Sequence, residues 1–133
     1  MSTRTNITRI NPTRNDMPAE LRQKAITVLN QQLADTLDLY SQTKQAHWNV
    51  KGANFIAVHE FFDDLAESVE EFIDNIAERA TALGGFALGT TRMAAATTRL
   101  AEYPDRTLRF GGVFRCGQSE PPHPDASRHP CRW

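Results

Sequence analysis

The chain has 133 residues, 40% hydrophobic and 23% charged, with a formal net charge of −1. This is one ordinary domain of a soluble globular kind, with no room for a second independent core and no run of about 18 apolar residues to span a bilayer. The N-terminus carries Arg but no apolar core of a signal peptide, and both cysteines, Cys116 and Cys131, fall near the C-terminus, so a cytoplasmic protein without a disulfide framework is expected.

Residues 1–17 form the first segment. Arg4, Arg9 and Arg14 stand among Thr, Asn and Pro12 with little apolar content, which predicts a flexible arm. From about residue 18 to 48, Leu21, Ala25, Ile26, Leu29, Leu33, Leu37 and Tyr40 recur at three- and four-residue steps, the pattern of an amphipathic helix. Asn49 and Gly52 then supply a tight turn.

A second helix is predicted from Asn54, placed at its N-cap, to Leu83, where Gly84 and Gly85 stop it. At 100° per residue, Phe62, Leu65, Val69, Phe72, Ile73, Ile76, Ala80 and Leu83 share one broad face suited to burial. His59, Asp63, Glu70, Asp74 and Glu78 form a stripe beside it, inside a stretch from Ala53 to Glu78 that contains no Lys or Arg. A short helix between Thr90 and Leu100, capped by Thr90 or Thr91, closes at Tyr103-Pro104. The remaining residues, 105–133, hold four of the seven prolines and both cysteines without a helical or strand period, and are expected to be irregular.

The chemistry is concentrated on the second helix. His59 with Asp63, and Asp74 with Glu78, are i, i+4 pairs, each about 6 Å apart along the axis and able to offer two donor atoms to one metal ion. About 22 Å of helix separates the two pairs, so one ion cannot be held by both within one chain. Two copies packed antiparallel about a two-fold axis near residues 68 and 69 solve this: His59 and Asp63 of one chain then face Glu78 and Asp74 of the other. His47, beside the turn, is close enough in sequence to join. A mixed imidazole and carboxylate set suits iron, with manganese and zinc as alternatives. A row of acids is most often only a solvated face, and the two His at compatible spacing bring the metal reading level with that one.

These residues resemble a family. HWNVKGANFIAVHEFFDD, followed by DNIAERATALGG and ALGTTR, is similar to the mini-ferritins called DNA-binding proteins from starved cells (Dps), over roughly residues 18–104. The resemblance implies an all-α, ferritin-like four-helix bundle, and a ferroxidase centre between subunits. In it, His47, His59 and Asp63 come from one subunit and Asp74 and Glu78 from its neighbour. It also implies a hollow dodecamer that oxidises Fe(II), preferentially with hydrogen peroxide, stores the ferric product and protects DNA. Trp48 matches the Trp beside that centre, as a trap for escaping oxidising equivalents or as an apolar plug at the turn. Arg4, Arg9 and Arg14, multiplied over twelve arms, are the candidate contacts to DNA, non-specific and salt-sensitive. Such contact would associate the protein with the nucleoid.

The family continues beyond the Tyr-Pro position with two further long helices. Here the sequence supports only the first two long helices and a short crossover helix up to Pro104, followed by an irregular tail, which a truncation or frameshift near codon 105 would explain. An alternative zinc site from Cys116, His123, His129 and Cys131 lacks the close paired spacing of zinc fingers.

Overall fold

The first long helix, α1, runs Ala19–Asn49, one residue displaced at each end from the sequence expectation. The computed structural model describes residues 10–104. α1 buries Ile26, Leu33, Ala34, Ala46 and His47, together with Asp35, Thr36 and Thr43. The buried hydroxyls cost little, because Thr36 and Thr43 donate to the carbonyls of Gln32 and Leu39 one turn back. Val50 ends the helix in an extended conformation, and Gly52, at φ 129°, turns the chain where a side chain would be strained.

α2 spans Phe55–Ala82 and returns antiparallel to α1. Contacts at both ends fix that direction: His47 meets His59 at one end of the pair, and Arg22 Nη1 donates to Leu83 O at the other. Asn54 does occupy the N-cap position, but its side chain makes no capping bond; the first turn is closed by Phe55 N–H to Gly52 O. At the far end Gly84 has φ 87°, and a Cβ there would lie 2.5 Å from Asn11 O, so this position excludes any other residue on two counts.

The face of α2 is narrower than the sequence suggests. Ala66, Val69 and Ala80 are buried and Ile73 and Ile76 half-buried, whereas Leu65 and Phe72 are exposed. The reason is geometric: α1 alone covers an arc centred on the small residues, and the larger side chains at its edge project past it.

Residues 86–101 run back along α1 and include the short helix α3, Thr91–Thr97, shorter than the interval foreseen but capped as expected by Thr90, whose Oγ1 accepts from Met93 N–H. This crossover is held by polar side chains of α1. Asn30 exchanges two bonds with the main chain of Phe86 and Leu88, Gln31 and Gln42 donate to the carbonyls of Thr97 and Ala101, and Asp38 accepts from Thr98 Oγ1. Asp35 accepts from the backbone N–H, Nε and Nη2 of Arg99. Residues at i, i+1, i+5, i+8 and i+12 lie on one flank of a helix, which is why a single face of α1 meets the whole crossover.

The segment expected as a mobile arm is anchored from residue 10 onward. Asn11 N–H donates to Gly84 O at 2.7 Å, Thr13 Oγ1 to Ala82 O at 3.1 Å, and Met17 N–H to Asn15 Oδ1 at 2.9 Å. Polar side chains with short local bonds give this stretch structure without an apolar pattern. Arg4, Arg9, Cys116, His123, His129 and Cys131 lie outside the described residues.

Candidate metal centre

The turn between α1 and α2 places the two histidines against each other. Their rings stack with centroids 3.7 Å apart and planes inclined by 25°, and the ring of Phe55 also stacks with His59, at 5.1 Å. His47 Nδ1 lies 2.9 Å from His59 O, and His59 Nδ1 lies 3.1 Å from His47 O. His47 is buried and His59 half-buried.

Asp63, one turn beyond His59, joins them. Its Oδ1 lies 3.9 Å from His47 Nδ1 and accepts a charge-assisted bond from Lys44 Nζ at 2.7 Å. That bond, and then the field of the ammonium, hold the Asp63 carboxyl below the usual carboxylate range, with the two histidines adding to the effect and desolvation opposing it. Lys44 was not singled out by the sequence reading. Its position one turn before His47 was the available signal, since residues three apart share a helix face.

Asp74 and Glu78 are exposed on the same helix as His59, far from the turn. Fifteen residues of α-helix make about 22 Å, and among the described residues no three His, Cys, Asp or Glu side chains converge to hold a metal ion. The structure places His47, His59 and Asp63 as neighbours at the turn, through the ring stack and the 3.9 Å approach of Asp63 to His47, without converging their donor atoms on one point, and leaves Asp74 and Glu78 apart within one chain. The neighbours at the turn are two imidazoles and a carboxylate, side chains of the mixed nitrogen and oxygen type that transition metals accept.

Trp48 follows His47 but faces elsewhere. It is 67% exposed and lines an open groove of about 1190 Å³ with Tyr40, Lys44, Gln45 and Tyr103. Burial pushes the Tyr103 phenol up from its ordinary pKa. Arg14 is exposed on the anchored segment before α1.

Two long antiparallel helices joined by this turn and followed by a crossover define a helical class, and comparison with known proteins agrees. The family model of the ferritin-like domain matches residues 26–113, continuing past Pro104. The "DNA protection during starvation protein" of Agrobacterium fabrum is 47% identical over 92 residues, covering 69% of this chain and 57% of that protein. Its counterpart in Halobacterium salinarum is 45% identical over 69 residues, covering 52% of this chain and 38% of that one. Among solved structures, DpsC from Streptomyces coelicolor superposes with a TM-score of 0.73 at 32% identity, covering 80% of this chain and 62% of that one. The chain belongs to the ferritin-like family, as a mini-ferritin of the Dps type. It spans about half the length of the curated relatives it matches, 57% of one and 38% of another.

Proposed function

We propose that this chain handles iron as a ferroxidase-type mini-ferritin, binding Fe(II) between two subunits, oxidising it with hydrogen peroxide and retaining the ferric product. The observation that carries this reading is the corner where His47 and His59 stack with Asp63 one turn away. Fe(II) is the substrate. In the proposed site His47, His59 and Asp63 of one chain receive it together with Asp74 and Glu78 of a second, antiparallel copy. His59 precedes the midpoint between residues 68 and 69 by as much as Glu78 follows it, and the same holds for Asp63 and Asp74. A dimer packed there has two identical sites, and such dimers would build the dodecamer.

This chemistry needs no nucleophile from the protein. Two Fe(II) each give up one electron, the O–O bond of one peroxide breaks, and two protons from solvent complete two waters. Carboxylates stabilise the more highly charged Fe(III) more than Fe(II), which favours electron loss, while imidazoles fix position. The consumption of peroxide without release of hydroxyl radical would protect DNA. Arg14, with Arg4 and Arg9, supports a further non-specific DNA contact by the assembled particle, to be read as a salt-sensitive gel shift.

The test is growth of ferric absorbance after Fe(II) and peroxide are added to the purified 133-residue chain. Activity above the protein-free reaction is expected, and it should fall to that background in the double variant His59→Ala with Asp63→Ala. An unchanged rate in the variant would remove the site.

A further inference from the structure

The donors at the corner have a property that their identity does not imply. Each imidazole directs Nδ1 at the backbone carbonyl of the other histidine, at 2.9 and 3.1 Å. A carbonyl oxygen has lone pairs and no proton, so each Nδ1 must be the donor. In a neutral imidazole the second nitrogen, Nε2, is then the one with a free lone pair. Ring stacking at 3.7 Å, with Phe55 also stacked with His59 at 5.1 Å, restricts rotation that would exchange the two nitrogens.

The bonds have a second effect. α1 ends at Asn49, so the carbonyl of His47 is among the last four of that helix, which have no intrahelical N–H to accept from. His59, from α2, supplies that missing donor, acting as a C-terminal cap contributed by the neighbouring helix. The reciprocal bond from His47 reaches the carbonyl of His59 within α2, so the two helices are tied through both rings across the five-residue connection Val50–Asn54.

We propose that His47 and His59 are each other's positioning residues: their reciprocal Nδ1–H···O=C bonds lock the α1–α2 corner and preset both Nε2 lone pairs before metal or a second subunit arrives. The metal part of this statement rests on the iron-binding reading above; the lock itself does not. Ligand orientation in other metal sites is commonly fixed by a separate carboxylate or carbonyl. Here the two candidate ligands do this for one another.

Asparagine and glutamine separate the two roles. Asn places an amide N–H close to where Nδ1 stands and has nothing at the Nε2 position, whereas Gln reaches the Nε2 position and loses the short-range donor. The full chain, treated with chelator, is compared as wild type, His59→Asn, His59→Gln and the matching pair at His47. Hydrogen exchange of the connection, residues 50–54, should stay within about twofold of wild type in the Asn variants. It should rise about tenfold in the Gln variants, the loss expected for one hydrogen bond. Nitrogen-15 spectra of the metal-free wild type should show both rings protonated at Nδ1. Binding of Zn(II), used as a redox-silent probe, should weaken in all four variants.

A Gln variant that fails to fold while its Asn counterpart folds also supports the lock. Equal exchange in Asn and Gln variants, failure of both to fold, or an Nε2-protonated ring in the wild type would overturn it. Wild-type protein that binds no Zn(II), with the Asn and Gln difference intact, would remove the metal reading and leave the lock standing.

Discussion

Lys44 holds the carboxylate that the metal reading requires. Its ammonium lies 2.7 Å from Asp63 Oδ1, where it satisfies the charge of that side chain in the metal-free protein. A cation entering at Asp63 must displace it. Exposed ion pairs contribute little, up to about fivefold in an equilibrium constant. Lys44→Met should therefore tighten Zn(II) or Fe(II) binding by up to about fivefold in calorimetric titration; equal or weaker binding would show that the lysine does not compete. His47, His59 and Asp63 were legible as candidates from residue type and spacing. The stacking of the rings and the role of Lys44 were not, because both depend on how α1 and α2 approach.

The crossover is fastened to α1 by polar groups, with Asp35 and Arg99 at the centre of that contact. The Arg99 side-chain bonds, and next its backbone N–H, hold the Asp35 carboxyl below the usual carboxylate range against the opposing effect of desolvation. An unfolded Asp titrates near about pH 3.9. Above that value Asp35 is ionised in both states and its contribution to stability is complete. As pH falls from about 4 toward the lower folded value, the unfolded chain takes up its proton first and the contribution is lost. Asp35→Asn should lower the melting temperature at pH 7, and the difference from wild type should shrink below about pH 4. A difference independent of pH would show that the ion pair is not its source. The termini of α1 and α2 followed from periodicity, Pro18 and the glycines to within a residue. The crossover's attachment did not, since Asn30, Gln31, Asp35, Asp38 and Gln42 look in sequence like the solvated face of any amphipathic helix.

On the whole molecule, α2 presents two different flanks. At 100° per residue, Asp63, Glu70, Asp74 and Glu78 lie to one side of the buried line of Ala66, Val69 and Ala80. On the other side lie Phe61, Leu65 and Phe72, at 58%, 37% and 62% exposure. The acidic flank is the proposed subunit contact. The aromatic flank is separate from it, and an apolar stripe of this kind drives association of its own. The double variant Phe61→Lys with Phe72→Lys should reduce the mass of any large species in light scattering while leaving Zn(II) binding unchanged. Loss of both together would place the two flanks in one interface.

The sequence by itself determined the two long helices, the turn at Gly52 and the stop at Gly84, because these depend on local periodicity and on backbone freedom at single residues. It also named the imidazole and carboxylate side chains that the metal proposal uses. Only the tertiary structure decided which apolar residues are covered, since that depends on the reach of the facing helix, and it anchored residues 10–17 through bonds to the end of α2. It also turned two histidines twelve residues apart into a mutually bonded pair, a relation between rings and carbonyls that exists only once the helices are side by side.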